Sequence, residues 1–593
     1  MNISDYIVNF FLKRNIDTAF GVTGGGAMFL NEAFRKNKIN FIFTHHEQSA
    51  SMAAEAYTRI AKKPAILSVT TGPGGTNAIT GVTGAWIDSI PMIVISGQVQ
   101  KKDMINRSKT RQIGVQEINI LDIVKPITKY SVLIKDEKNL EKILNDAYFH
   151  ATTGRPGPVW IDVPLDVQSK KINLKLNKRV KKSSNKKFID KKKIKKFIEL
   201  CSKSKRPILI AGNGIHIGNA ENEFKKFYKK TQIPIITSWN ASDLIEDNNK
   251  LFVGRMGLFG ERCANYAIQT SDLIIVLGSR LSQPMIGYNA NLFAPEANKI
   301  LVDIDQNEIK NKGLNPSLYF NNDIKLTLEK LNKQKYPQSI IYSKWLNKLK
   351  KLRKKFPVTP VSENINDKKA NKINSFRFIK ILSKNLSGNE TIVTDMGTSF
   401  TCTMQSFEIK KKQRLFTSSG LAAMGFGIPG AIGSYYGNPN KKLVCIIGDG
   451  GAMFNLQELQ TIVSYNIPVK IFLINNEGYL TMKLMQKKNF DKFVGASKKS
   501  GLSMPNFLKI SNAFKIKNLD INSEQKLEKN IKKIINSKDS FFTQINMPGF
   551  QELIPRVQSK LKTNGDFVPA TLDNMYPFLQ EEEHEKIIND LKS

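Results

Sequence analysis

Short apolar runs alternate with longer stretches of helical periodicity along this chain, and the alternation occurs three times over. Ile3, Ile7, Phe10 and Phe11 mark one face of an opening helix. TAFGV, INFIFTH, PAILSVTTG, PMIVISG and PVWIDVP then read as strands separated by helices. PILIAGNG, IPIITS, DLIIVLGS and KILVDID form a second set, and IVTDMG, LVCIIG, VKIFLIN and FFTQINM a third. Runs that stay apolar at every position suit strands covered on both faces, as in parallel sheets. The pattern predicts an α/β chain with three doubly wound parallel-sheet domains. Polar stretches set the expected boundaries at residues 1–172, 190–335 and 373–550, with a tail over 551–593. VQSKKINLKLNKRVKKSSNKK reads as an exposed linker, residues 335 to 372 are again polar and basic, and the tail ends in an acidic, helix-like run, EEEHEKIINDLKS.

The third set holds the strongest chemical signal. Leu443 to Ile447 is a buried strand leading into Gly448-Asp449-Gly450, and Val469 to Ile474 is a second strand delivering Asn475 and Asn476 to the same edge. Gly450 and Asn475 are separated by 24 residues, which fits one crossover helix. Ligands of parallel sheets bind at the carboxyl ends of strands. A carboxylate and an amide oxygen there suit Mg²⁺, a hard cation that commonly accompanies phosphates. The segment predicts a metal-diphosphate clamp. In the first set, Glu47 follows the strand INFIFTH and precedes a small-residue helix from Ala50 to Tyr57. Desolvation there favours the protonated carboxyl and makes it a proton partner.

Composition narrows the class. A chain of 593 residues with 41% apolar side chains suits three domains with full cores. No run approaches the roughly 18 apolar residues that span a membrane, and MNISDYIVNFFLKRNIDTAFG lacks the pattern of a secretory signal. A soluble, cytoplasmic protein is expected. Cys201, Cys263, Cys402 and Cys445 have neither ligand spacing nor disulfide pattern. The net charge of +39 invites a nucleic-acid partner, but lysine dominates it, in runs such as Lys191-Lys192-Lys193 and Lys410-Lys411-Lys412, and no RNA-binding aromatic motif or recognition helix is evident. A compositional bias of the source explains it better; no nucleic-acid or membrane partner is expected.

GVTGGGAMFLNEAF, HHEQSA, TTGPGGTNAITG, IPMIVISGQV, GRPGPVWIDVP, GLAAMGFGIPGAIG and the GDG-to-NN unit occur in that order. Over nearly its full length the chain resembles the acetolactate synthase branch of thiamine-diphosphate enzymes. That resemblance implies pyrimidine-binding, central and diphosphate-binding domains. It implies that Asp449, Asn476 and the carbonyl of Gly478 hold Mg²⁺, with Gly448 and Gly450 beside the diphosphate. Glu47 would hydrogen-bond the aminopyrimidine of thiamine diphosphate and promote its imino tautomer. Met424 would sit under the folded cofactor, with Ala422 in the same loop, and Gly72, Pro73 and Asn77 would line the substrate side. Because Glu47 and Asp449 lie in different domains, and such domains belong to different subunits in the resembling enzymes, a homodimer or homotetramer with shared sites is implied.

The resemblance also raises FAD in the central domain. Arg155, Gly212, Gly214, Gly260, Arg280 and Asp303 are the candidates: glycines permit backbone approach to a pyrophosphate, and arginines pair with phosphate. The substrate pocket departs from the family. AFQE is replaced by Gly114-Val115-Gln116-Glu117, the position of an acceptor-selecting tryptophan is Met485, and ARFDDR becomes Ser279-Arg280-Leu281-Ser282-Gln283-Pro284. The implied activity is decarboxylation of a 2-oxo acid, pyruvate first, with carboligation to a second carbonyl. Alternatives are transfer of the two-carbon unit to a keto-sugar nucleotide, for which RQIGVQEINILDIVKPITKYS and the MYPFL tail speak, or a non-catalytic paralogue acting as a binding partner.

Overall fold

The computed structural model describes residues 1–105, 110–174, 188–310, 313–336, 340–358, 372–561, 567–568 and 570–593. Most of the linker expected before residue 190 lies outside these. The first sheet comprises β1 (Thr18–Gly21), β2 (Asn40–Phe43), β3 (Ala65–Val69), β4 (Met92–Gln98), β5 (Ser131–Leu133) and β6 (Pro158–Pro164). The second comprises β7 (Pro207–Ala211), β8 (Ile235–Thr237), β9 (Phe252–Arg255), β10 (Leu273–Leu277), β11 (Asn298–Asp303) and β12 (Leu318–Asn321). The third comprises β13 (Glu390–Thr394), β14 (Arg414–Phe416), β15 (Lys442–Gly448), β16 (Val469–Asn475), β17 (Lys517–Ile521) and β18 (Phe541–Asn546). Every pairing within these sheets is parallel, and helices flank each sheet.

Strand order places three crevices. It runs β2-β1-β3-β4-β6-β5, β12-β11-β10-β7-β8-β9 and β14-β13-β15-β16-β18-β17. The order reverses between β1 and β3, between β7 and β10, and between β13 and β15, where the loops leaving neighbouring strands part and leave room for a ligand.

The first and third domains share one apolar core. Ala50, Ala53, Ala54 and Tyr57 of the helix Glu47–Ala61 pack with Ile428, Ala431 and Ile432 of the helix Gly427–Gly437. A Cβ on Gly433 would collide with the carbonyl of Ala53, so small residues let these two backbones touch. A polar chain then ties all three domains. Lys62 donates to Glu221 (2.5 Å), His216 lies between Glu221 (3.0 Å) and Asp243 (2.7 Å), and Arg414 donates to Asp243 (2.6 Å).

Two stretches add to the sequence-based reading, and the helix expected at the end of the tail is present. The polar region after residue 335 contains the helix Ile340–Lys355, whose Tyr342, Trp345 and Leu349 are buried in the core. The tail returns to the central domain. Arg262 donates to the carbonyls of Met575 (3.2 Å) and Pro577 (2.7 Å), and the helix Glu581–Lys592 packs on the helices Arg262–Thr270 and Ile340–Lys355. Tyr266 and His584 meet at 2.6 Å in that contact. All four cysteines are buried and free. Among the described residues no helix is long and apolar enough to cross a membrane.

Candidate active site

The register between β15 and β16 sets Gly448 opposite Ile474, so Asp449 and Asn475–Asn476 leave the sheet side by side. Asp449 is buried. Its Oδ1 accepts the N–H of Gly450 (2.8 Å), and its Oδ2 accepts those of Asn476 (3.1 Å) and Gly478 (3.0 Å). Burial pushes this carboxyl up to about 6, with the three backbone donors pulling it back. Asn476 is equally buried, yet its Oδ1 has no hydrogen-bond partner. An unpaired buried acceptor is costly, and an oxygen held beside a carboxylate is what a hard divalent cation takes. The donor set therefore fits Mg²⁺.

The loop after Asn476 is fixed by sterics. Gly478 has φ +138°, and a Cβ there would strike the carbonyl of Ala496. Lys483, itself buried, donates to the carbonyl of Asn476 at 3.0 Å. Gly450 packs against the ring of Tyr479, and the methyl of Met424 lies 3.4 Å from where its Cβ would be. Gly448 differs: a Cβ there would meet nothing within 4 Å. That open face is a cradle of the kind a diphosphate needs.

The single crossover helix expected between the two strands is two short ones, Asp449–Ala452 and Glu458–Ser464. Asn455 occupies the break. Across the crevice Asp395, at the end of β13, is fully buried and accepts the N–H groups of Met396 (2.6 Å), Gly425 (3.1 Å) and Gly427 (3.1 Å). Burial pushes Asp395 up to about 6 against those donors. It thus clamps the loop bearing Ala422, at φ +62°, and Met424. Asp395 went unassigned in the sequence, although it follows an apolar run just as Asp449 does. Asn455 had no such signal.

In the first domain Glu47 is the first residue of its helix, three residues earlier than the small-residue pattern suggests, with His46 capping it through Nδ1 to the Gln48 N–H (3.0 Å). Glu47 is buried, and Asn77 donates to its Oε2 at 3.0 Å. Pro73 opens the helix Pro73–Ile87 that carries Asn77. Gly72 has φ +65°, and a Cβ there would strike the carbonyl of Gln116. The turn is therefore seated on the loop carrying the substrate-side candidates. That loop is gathered by Glu117, a buried carboxylate accepting the N–H groups of Ile105, Ile113 (3.2 Å) and Gly114 (3.4 Å). Val115 is 84% exposed, Met485 57% exposed, and Gln116 is exposed as well, so one chain alone does not enclose these three.

A cavity of about 400 Å³ opens at the β7/β10 switch point, where all three domains meet. Arg155, Gly214, Arg280 and Asp303 line it. Gly212 and Gly260 are not among its lining residues, and packing accounts for both. A Cβ on Gly212 would strike the carbonyl of Gly278, and one on Gly260 would come within 2.7 Å of the Arg255 carbonyl oxygen. Arg155 is held by Asp305 (3.0 Å), Glu308 (2.8 Å) and Ser89 (2.8 Å). Burial raises the Asp303 carboxyl above its usual range. Two lining residues, Asn213 and Trp239, carry a buried Oδ1 and a buried Nε1 without partners. The unpaired acceptor and donor leave two hydrogen bonds for a polar ligand such as FAD, while Arg155 is already paired with carboxylates.

Comparison with known proteins agrees with this layout. The descriptions "Thiamine pyrophosphate enzyme, N-terminal TPP binding domain", "central domain" and "C-terminal TPP binding domain" match residues 1–122, 194–331 and 395–545. The chain is 30% identical over 555 residues to acetolactate synthase isozyme 1 large subunit of Escherichia coli (strain K12), covering 93% of this chain and 95% of that one. It is 31% identical over 608 residues to the probable acetolactate synthase large subunit of Methanococcus aeolicus, covering 99% and 97%. It is 29% identical over 570 residues to the acetolactate synthase large subunit of Lactococcus lactis subsp. lactis (strain IL1403), covering 95% of each.

Proposed function

The chain belongs to the acetolactate synthase family of thiamine-diphosphate-dependent enzymes, and from that premise we propose that it decarboxylates pyruvate and joins the two-carbon unit to a second carbonyl compound. The family itself carries the broader statement, a thiamine-diphosphate-dependent carboligase or transferase acting on a 2-oxo acid. Thiamine diphosphate, when bound, supplies the carbanion chemistry that lets such an acid lose CO₂ and form a new carbon–carbon bond.

The chain's residues bind, orient and manage protons. Asp449, Asn476 and the carbonyl of Gly478 would hold Mg²⁺ and with it the diphosphate. Met424 and Ala422, on the loop clamped by Asp395, would shape the wall beneath the cofactor. Glu47 would hold a proton on its carboxyl toward the aminopyrimidine, with Asn77 fixing Oε2 and hence the direction of the group. The observation that carries this reading is the buried, unpartnered Asn476 Oδ1 beside the Asp449 carboxylate. Purified protein given thiamine diphosphate, Mg²⁺ and pyruvate should release CO₂. No release with any acceptor would exclude a pyruvate carboligase.

The acceptor has a second reading, a keto-sugar nucleotide, favoured by Val115 and Met485, which stand where the resembling enzymes carry an aromatic residue and a tryptophan. Product analysis with pyruvate alone against pyruvate plus a keto-sugar nucleotide separates the two. A second copy of the chain is the proposed cover for this face. Met482, Met485, Phe490, Phe493 and Val494 are all exposed there, an apolar patch of the kind that marks an interface; sedimentation should give a dimer or tetramer. FAD is the proposed occupant of the central cavity. Flavin absorbance in the purified protein, released on denaturation, supports it; a colourless protein unaffected by added FAD does not.

A further inference from the structure

We propose that Lys483 is a positioning residue that sets the cation preference of the metal site, an inference resting on the thiamine-diphosphate reading above. Every group it involves lies in the third domain of one chain. Lys483 sits in the first turn of the helix Leu480–Phe490 and is 6% exposed. Its Nζ donates to the carbonyls of Asn476 (3.0 Å) and Gly549 (2.5 Å). A buried ammonium is thus spent on two backbone oxygens, one of them belonging to a residue assigned to Mg²⁺.

The turn that Lys483 holds is a strained one. Glu477 has φ +59° and Gly478 φ +138°, so two successive residues, one of them not glycine, lie at positive φ. Such backbone persists only where its surroundings over-determine it. Asp449 Oδ2 takes the N–H groups of Asn476 (3.1 Å) and Gly478 (3.0 Å), and Lys483 takes the carbonyl of Asn476 from the other side. Gly549 belongs to the chain leaving β18, which runs beside the chain leaving β16. There the Met547 N–H donates to the Asn475 carbonyl (3.0 Å), and Asn475 Nδ2 donates to Asn546 Oδ1 (3.2 Å). Lys483 therefore staples the two strand exits together beneath the metal ligands.

Rigidity at this turn discriminates between cations. Mg²⁺ demands near-ideal octahedral oxygens at about 2.0–2.1 Å, whereas Ca²⁺ accepts six to eight in flexible array at about 2.3–2.6 Å. A turn free to relax by a few tenths of an ångström still serves Ca²⁺ but serves Mg²⁺ poorly. Partners that orient metal ligands from behind typically govern affinity by about 10- to 100-fold. The charge of Lys483 acts in the opposite sense, because an ammonium bonded to a ligand residue repels any dication. That repulsion is nearly the same for Mg²⁺ and Ca²⁺. It cancels in the ratio of their affinities, which leaves the geometry as the term that Lys483 controls.

The test titrates Mg²⁺ or Ca²⁺ into full-length protein supplied with thiamine diphosphate, with binding read by calorimetry and no turnover required. Lys483→Met keeps the stem of the side chain but neither its charge nor its donors. It should lower the preference for Mg²⁺ over Ca²⁺ by about 10-fold. Lys483→Gln reaches less far and keeps an amide for one carbonyl, so the preference should fall by about threefold; this variant decides the matter if the methionine variant does not fold. A role in stability alone would weaken both cations alike and leave their ratio unchanged. A ratio within about twofold of wild type in the folded variants overturns the proposal. Wild type that takes up thiamine diphosphate without any dication, or takes up none at all, removes the reading beneath it instead.

Discussion

Asn476 gives its backbone N–H to Asp449 at 3.1 Å while its own side-chain oxygen stays buried and unpaired. The two residues are thus mutually fixed, with one acceptor left over. Asp449→Ala removes the charged donor and the backbone clamp together. It should weaken Mg²⁺-dependent thiamine diphosphate binding by about 100-fold, or ~2.8 kcal/mol. Calorimetry with and without Mg²⁺ checks this, and equal affinity would show that the pair is no metal site.

Glu47→Gln keeps the shape of the side chain and its place beside Asn77 but cannot exchange a proton. General acid–base groups contribute about 10²- to 10⁴-fold, so turnover should fall by that order while cofactor affinity stays near wild type. Unchanged turnover would remove Glu47 from the chemistry.

Asp162 gives a pH dependence of stability independent of the active-site carboxylates. It is fully buried in β6, accepting from Ser96 (2.6 Å) and Gln98 (3.1 Å), and burial, outweighing these bonds, raises its carboxyl from 3.8 to about 7. The folded state then binds the proton more tightly than the unfolded one. The contribution of Asp162 to stability is highest below about pH 4, falls as pH rises to about 7, and levels off above that. Asp162→Asn should remove this slope. Urea midpoints between pH 4 and 8 for both proteins should diverge in favour of the variant as pH rises; parallel curves would refute the assignment.

Gly433→Ala places a methyl group against the carbonyl of Ala53, where the first and third domains touch. Neither backbone can rotate away, so the helices must separate. Overpacking of this kind costs about 1–3 kcal/mol. A lowered thermal midpoint, with weaker cofactor binding because Glu47 starts one of the two helices, is expected; an unaltered midpoint would mean that the helices slide freely.

The central strands were legible because they are apolar on both faces, and the strand-end chemistry at Asp449 and Glu47 came with them. Within the three six-stranded sheets, the strands not anticipated, β5, β9, β12, β14 and β17, all lie at sheet edges. β17, KNLDI, shows why: a short strand paired on one side mixes charge with apolar residues and lacks a continuous run. Trp345 and Leu349 were hidden among Lys344, Lys348, Lys350 and Lys351, polar positions interleaved with the buried ones along one amphipathic helix. Asn455 was out of reach for a different reason. Its partners, Ser49 and Gly425, are far away in sequence, and no local pattern records a bond that only the folded chain creates.

The returning tail changes what a break in the chain would do. Central and third domains are joined by the chain running from Phe356 to Asn374, by the Arg414–Asp243 pair, and again by the segment that docks Met575, Pro577 and the final helix on Arg262 and Tyr266. A cut within the first connection leaves two fragments still clasped by the tail as well as by the shared core and the Arg414–Asp243 pair, so nicked protein should run as one particle until denatured. The last residues act as a buckle, and the molecule is a closed belt rather than three beads on a string.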